Sequence, residues 1–239
     1  MALPPDSAES FLREVDENLR RDQVRDAARK YANLAIGAAL LFLLAVGGYL
    51  FWQDRQRKAA EADTEQLSVA LGDIGDGNDA AARAKLDILS KSGADGVSAS
   101  ARLANAVLAL QKGDRKAASA IYAGIAADKG LAQPYRDVAL VRGTAVDFDS
   151  LKPDEVITRL QPLAQPGNAF FGSAGEMTGM ALLAKGQKNA AAQLFAKIAA
   201  DKDVPESLRS RAVQVAGSLG VDASASLPSS DGLLPATAQ

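Results

Sequence analysis

Hydrophobic and polar residues follow two patterns along this chain, and each pattern predicts a different kind of helix. Residues 34–52, LAIGAALLFLLAVGGYLFW, form one apolar run without a charged side chain. Soluble helices seldom stay apolar on every face for so long, whereas about 20 residues cross the hydrocarbon core of a bilayer. The run therefore predicts a transmembrane helix rather than a buried core helix, with Leu34, Phe42 and Trp52 at its start, middle and end.

After this run, apolar positions recur every three or four residues, which is the spacing of amphipathic helices. Glycine and proline interrupt the pattern at intervals and mark the expected turns. No long stretch alternates in the manner of a strand, so we predict an all-α chain. The expected helices are 53–72, 79–92, 97–112, 114–128, 132–145, 153–164, 168–185, 187–200 and 205–219. The first of them is expected to continue the transmembrane helix without a break.

An internal repeat accounts for the second pattern. Residues 110–129 align with residues 183–202 at a shift of 73, and eleven of the twenty aligned residues are identical. A glycine, then an alanine, then an aromatic residue four positions after the alanine occur in both copies. The six residues expected to pack the repeats are Gly113, Ala118, Tyr122, Gly186, Ala191 and Phe195. Weaker copies contain Ala82 and Val156, and for these the alternative is chance similarity between alanine-rich helices.

Half of the 73-residue shift is close to the period of tetratricopeptide repeats (TPRs), in which each unit is a hairpin of two helices. The glycine suits the turn, the alanine lets two backbones approach, and the large residue fills the gap between hairpins. One hairpin cannot cover its own apolar face, so several have to stack. We predict a cytoplasmic amphipathic arm (1–33), a transmembrane helix (34–52), a TPR-like α-solenoid of stacked helix hairpins (53–220) and a disordered tail (221–239).

Basic residues flank the apolar run unequally and predict its orientation. Of the basic residues close to the run, five precede it, namely Arg20, Arg21, Arg25, Arg29 and Lys30, and three follow it, namely Arg55, Arg57 and Lys58. Because basic residues favour the cytoplasmic side, the N-terminus is expected in the cytoplasm and the repeats in the periplasm of a Gram-negative cell. A cleavable signal peptide is the alternative, but the 33-residue acidic lead is untypical of one. We therefore expect a single-pass protein of the bacterial inner membrane.

The arm before the span is predicted to be a charged helix. Asp6 and Glu9 have the spacing of a capping box at its start. Its apolar stripe consists of Phe11, Leu12, Val15 and Leu19. Such a helix either folds back on the membrane or docks on a cytoplasmic partner or on lipid headgroups, and the sequence leaves these alternatives open.

Composition excludes several classes of function. The chain has no cysteine and no histidine, which removes thiolate chemistry and the commonest proton-transfer side chain. Its 27 basic and 29 acidic residues give no excess of positive charge for nucleic acid. The acidic loop 73–79 lacks the ligand spacing of a calcium loop. We expect no enzyme, cofactor, metal, nucleic acid or small-molecule substrate; a membrane-tethered enzyme with a lysine base is the remaining catalytic alternative.

The architecture resembles the ancillary SecYEG translocon subunit family (YfgM-type). Two stretches that look like its alphaproteobacterial members are FLREVDENLRR at residues 11–21 and GMALLAKGQKNAA at residues 179–191. The resemblance covers most of residues 10–218 and implies association with secretion channel subunits, periplasmic folding factors or client polypeptides. It implies no catalytic motif.

Two functions follow as expectations. The first is a membrane-anchored module whose repeats hold a polypeptide near the translocation channel, in association with periplasmic chaperones. The alternative is a scaffold protein of an envelope or cell-division complex that binds no client directly.

Overall fold

The computed structural model describes the backbone of residues 5–224, and the side chains of residues 26, 29–32, 34 and 36–224. All regular secondary structure in this part of the chain is helical, which confirms the predicted all-α class. The chain divides into two compact units, Met1–Ala59 and Ala60–Gln239. The side chains of the predicted capping box and apolar stripe of the arm, and residues 225–239 of the predicted tail, lie outside the described residues.

Helix α1 runs from Pro5 to Gly75 and contains the apolar run. Leu34, Phe42 and Trp52 are 72%, 68% and 57% exposed, and the other described side chains of the run are exposed as well. At about 1.5 Å per residue the run measures roughly 28 Å, close to the thickness of a hydrocarbon core. The helix is therefore long and apolar enough to cross a membrane.

Aromatic rings and a cation lie at the C-terminal end of the apolar run. The ring centroids of Tyr49 and Trp52 are 6.5 Å apart, and the guanidinium of Arg55 lies 5.6 Å from the centre of the Phe51 ring. Aromatic side chains of this kind favour the headgroup layer of a bilayer, and the cation is attracted to the face of the ring. This end of the run thus has the chemistry of a membrane–water interface.

The second unit contains the end of α1 and a series of shorter helices. They are α2 (Asp79–Leu89), α3 (Asp95–Gln111), α4 (Arg115–Ala127), α5 (Gln133–Asp147), α6 (Pro153–Leu160), α7 (Phe171–Ala184), α8 (Lys188–Ala200) and α9 (Glu206–Ser218). Helices adjacent in the chain pack as hairpins. We call α1, α3, α5, α7 and α9 the first helices and α2, α4, α6 and α8 the second helices.

First helices also pack side by side along the second unit. Helix α3 contacts α5, α5 contacts α7, and α7 contacts α9. The described second helices make no comparably broad contact with one another. The first helices therefore share one face of the unit, and the second helices share the opposite face.

Glycines with positive φ end the first helices in the two strong copies of the repeat. Gly113 and Gly186 have φ angles of 78° and 75°, a conformation that is strained for residues with a side chain. The N–H of the residue after each glycine donates to the carbonyl five positions earlier, at 2.9 Å in both turns, which completes the helix end. Helix α5 ends at Asp147 without such a glycine, which is one reason why this copy is weak in the sequence.

The connection between α6 and α7 is longer than the sequence predicts. Helix α6 ends at Leu160 rather than at residue 164, and α7 begins at Phe171 rather than at residue 168. Leu163 and Ala164 are buried in this connection. They continue the apolar spacing of α6 although their backbone is no longer part of the helix. The side chain of Asn168 accepts a hydrogen bond from the N–H of Phe170 at 2.8 Å, which holds a turn just before α7.

The chain continues to pack after α9. Val221 lies against the last apolar cluster and Ala223 is buried in it, although both belong to the predicted tail. These residues cover part of the apolar surface that α8 and α9 leave. The apolar contacts of the second unit thus extend at least to Ala223.

An ion pair joins the end of α4 to α3. The guanidinium of Arg102 lies 2.8 Å from the carboxylate of Asp128, which also accepts from the N–H of Gly130 at 3.1 Å. The hydrogen bond from Arg102 is the larger cause, and together these donors hold the pKa of Asp128 below its ordinary value of 3.8.

We predict that Gly186→Ala lowers the free energy of unfolding by about 1 kcal/mol, because alanine is strained in the left-handed conformation. Chemical unfolding of the full chain in detergent micelles measures this change. Gly217→Ala is the matched control, since Gly217 is helical with open space around it, and it should be neutral or stabilising by up to about 1 kcal/mol. Equal effects at the two positions would contradict the turn geometry.

We predict that Arg102→Gln raises the pKa of Asp128 toward its ordinary value, while the N–H of Gly130 retains part of the lowering. Since the folded-state pKa is lowered, the stabilisation is complete above the ordinary value and is lost as the pH falls through the lowered pKa. A carbon-13 NMR titration of the Asp128 carboxyl measures the change. Arg83→Gln, which removes an exposed cation elsewhere, should leave this titration unaltered. An unaltered titration in Arg102→Gln would mean that the ion pair does not form in solution.

Candidate protein-interaction surface

The residues expected to pack the repeats lie in two places. Ala118 and Tyr122 of α4 are buried in the cluster between α3 and α5, and Ala191 and Phe195 of α8 are buried in the cluster with α7 and α9. The turn glycines Gly113 and Gly186 lie outside these clusters and are exposed. The weaker copies place Ala82 with Leu86 and Val156 with Leu160 in buried positions of the same kind.

Each of the two buried rings on the second helices, Tyr122 and Phe195, is accommodated by a glycine on a first helix. A β-carbon on Gly143 of α5 would lie 3.0 Å from Cβ of Tyr122, and one on Gly179 of α7 would lie 2.7 Å from the ring of Phe195. Neither contact admits a methyl group unless the ring or its helix shifts. Tyr122 of α4 therefore packs against the first helix of the next hairpin, whereas Phe195 of α8 packs against the first helix of its own hairpin.

A shift of 73 explains this difference between the two copies. Gly143 corresponds to Ala216, and Gly179 corresponds to Ala106, so glycine and alanine exchange places between the copies. In each copy the aromatic residue of the second helix has an alanine on one neighbouring first helix and a glycine on the other, and it packs closely against the glycine. Sequence reasoning missed this exchange because all four positions lie outside the aligned segments 110–129 and 183–202.

The first helices carry a row of side chains that point away from the second helices. Their positions follow helical spacing, and two of them, Ala104 and Met177, also pack against the edges of the core clusters. We define this first-helix face as Ser100, Ala104, Val107 and Gln111 of α3, Val138, Arg142 and Ala145 of α5, and Ser173, Met177, Met180 and Ala184 of α7. The positions on α3 and α7 are again related by 73 residues.

Small and apolar side chains dominate the first-helix face. None of its residues is buried, and Met180 is 46% exposed. Methionine is flexible and polarisable, so it adapts to apolar side chains of different shape. The backbone of a partner can approach closely where alanine and serine line the surface. The face therefore suits contact with a polypeptide better than contact with a charged ligand.

Arg142 is the cation of the first-helix face. It lies beside the phenol of Tyr122, the ring that is buried between α3 and α5. Burial raises the pKa of Tyr122, and the neighbouring Arg142 opposes part of that rise, so the phenol stays neutral at physiological pH. Arg142 is exposed and available to a carboxylate or carbonyl of a partner.

A second charged group beside the face is internally neutralised. Glu176 of α7 accepts two hydrogen bonds from Arg211 of α9, at 2.9 and 2.7 Å. These bonds raise the pKa of Arg211 above its ordinary value, and the forked geometry ties α9 to α7. The net charge that the face offers to a partner is thus small and positive.

The acidic segment at the junction of α1 and α2 forms an ion pair within the protein. The ammonium of Lys85 lies 2.5 Å from the carboxylate of Asp73, so this carboxylate fastens α2 to the end of α1. Among the described residues, no group of three or more acidic side chains is placed to hold a metal ion.

Comparison with protein families gives one match. The model of the tetratricopeptide repeat-like domain matches residues 28–216, a range that begins before the apolar run and ends within α9. No curated protein and no solved structure matches the chain. Domains of this kind generally bind proteins. Since the match covers well over half of the chain, and the hairpins have the geometry that such repeats require, the chain belongs to the tetratricopeptide repeat-like domain family.

Proposed function

We propose that the chain is a membrane-anchored protein-binding module that associates with the Sec translocon and with periplasmic chaperones and assists protein translocation or folding at the inner membrane. It acts by binding and position rather than by catalysis. The observation that carries the proposal is the first-helix face, a small-residue surface with exposed Met180, in a chain whose α1 is apolar enough to span a bilayer.

Two features of α1 support membrane anchoring: the exposed apolar side chains of the run, and the aromatic rings and the arginine at its C-terminal end. In this proposal residues 34–52 span the inner membrane, residues 1–33 lie in the cytoplasm, and the repeats from residue 53 onward lie in the periplasm. The unequal basic residues on the two sides of the run favour this orientation. The rings of Tyr49, Phe51 and Trp52 then lie at the periplasmic surface of the membrane.

The first-helix face is proposed to hold an extended or helical segment of a polypeptide. Met180 supplies an exposed, adaptable apolar contact, the partly buried Met177 extends it, and Arg142 supplies one polar anchor. Such contacts are individually weak. Membrane anchoring compensates for this weakness, because a binding module and a channel in the same membrane meet at a raised effective concentration.

We predict that a photoactivatable crosslinker on Met180→Cys captures channel subunits, periplasmic folding factors or client polypeptides in membranes. The chain has no natural cysteine, so the label is unique. Ile88→Cys on α2 is the matched control, since Ile88 is 74% exposed and would react more if exposure alone governed capture. Equal yields at the two positions, or capture of soluble cytoplasmic proteins alone, would contradict the proposal. Capture of folded membrane partners from Ile88→Cys only would favour a scaffold without client binding.

We predict that Lys202→Cys reacts with a membrane-impermeant maleimide in intact spheroplasts, whereas Ser7→Cys reacts only after lysis. The reason is that the two positions lie on opposite sides of the membrane in the proposed orientation. Gel-shift of the labelled chain measures both reactions. Protection of Lys202→Cys together with labelling of Ser7→Cys would reverse the orientation.

A further inference from the structure

A cleft of about 360 Å³ separates α6 from α8 on the face formed by the second helices. We propose that this cleft is a second binding site, which takes a polypeptide segment with a carboxylate beside an apolar side chain. It lies on the opposite side of the unit from the first-helix face. The inference therefore stands apart from the function proposed for that face.

The floor of the cleft contains a buried hydroxyl without a partner. Thr178 of α7 lines the cleft and is only 7% exposed, and its Oγ1 atom makes no hydrogen bond. A buried polar atom in this state is unfavourable for the folded protein, so an external partner that pairs with it gains binding energy. Threonine in a helix has two accessible χ1 rotamers, which allows the hydroxyl to turn toward the cleft.

The repeat shows how this unpaired hydroxyl arises. Thr178 corresponds to Asn105 of α3 at the shift of 73. Asn105 donates through Nδ2 to the carboxylate of Asp87 on α2 at 3.0 Å, so only its Oδ1 atom lacks a partner. In the later copy Leu160 is buried as Leu86 is, so Gln161 follows it at the position of Asp87, and Gln161 makes no hydrogen bond with the hydroxyl of Thr178. The polar residue is thus present in both copies, while its internal acidic partner exists only in the first.

The walls of the cleft combine apolar side chains with hydrogen-bond donors. Ile157 of α6 and Leu194 of α8 lie on either side. Lys197 and Gln161 line the same space, and no carboxylate does. Within the described chain Lys197 is in no ion pair. The cleft is therefore positive and lacks its own counter-ion.

These features select the class of ligand. The ammonium of Lys197 forms a charge-assisted hydrogen bond with a carboxylate, and the amide of Gln161 and the hydroxyl of Thr178 can donate to the same group or to a neighbouring carbonyl. Ile157 and Leu194 cover an adjacent apolar side chain. The volume is at the lower end of the range for ligand pockets, so it admits a few residues of a peptide and excludes a whole helix.

The test uses the full chain in lipid nanodiscs and a fluorescent, acetylated and amidated peptide of sequence LLELS, with LLQLS as its uncharged counterpart. We predict that LLELS binds at least about tenfold more tightly than LLQLS, since only the carboxylate pairs with Lys197. Lys197→Gln should remove this preference. Thr178→Val should weaken LLELS severalfold without lowering the melting temperature, because the hydroxyl that it removes has no internal partner.

Two control variants show whether peptide binding is confined to the cleft. Lys188→Gln removes an exposed lysine at the start of α8 outside the cleft and should leave the affinity for LLELS unchanged. Met180→Glu alters the first-helix face and should also leave it unchanged, so failure of the function proposed for that face is distinguishable from failure here. Equal affinity for the two peptides, no binding at millimolar concentration, or full preference retained in Lys197→Gln would overturn the proposal.

Discussion

Each large ring on a second helix is accommodated by a first-helix residue that has no side chain, and the stack of hairpins depends on this fit. Gly143 faces Tyr122 and Gly179 faces Phe195, in each case too closely for a β-carbon to enter without a shift of its neighbours. Protein interiors are packed closely enough that one methyl group in such a contact forces neighbouring atoms to move. The fit lets α7 lie against α8 and lets α5 lie against α4. It thereby lines up the first helices, whose remaining side chains form one continuous face.

Sequence reasoning predicted the class of fold and the order of the helices, because both follow from apolar spacing and turn glycines that are local in the chain. It missed the early end of α6, because Leu163 and Ala164 lie in the following loop but are buried at the spacing expected of a helix. It also missed Gly143 and Gly179 as contact residues, because their role is defined by a ring on another helix. The first-helix face could not be read from one helix alone: Met180 is exposed only because no neighbouring helix covers it.

The two faces of the second unit differ in chemistry for the same reason. On the face of the first helices, the paired Glu176 and Arg211 neutralise each other and leave a surface of small and apolar residues. On the face of the second helices, the short α6 and the change from Asp87 to Gln161 leave a positive cleft above Thr178. The repeat thus supplies a common scaffold, and small departures from its symmetry create the differences that a partner can recognise.

A double-mutant cycle at Gly179 and Phe195 tests the central claim most directly. Gly179→Ala alone should cost about 1–3 kcal/mol of unfolding free energy, because its methyl group collides with the ring. In a Phe195→Leu background the smaller side chain leaves space for that methyl group. The account predicts that the cost of Gly179→Ala then falls by at least about 1 kcal/mol. Costs that add within about 0.5 kcal/mol would show that the two residues do not depend on each other, and would contradict the account.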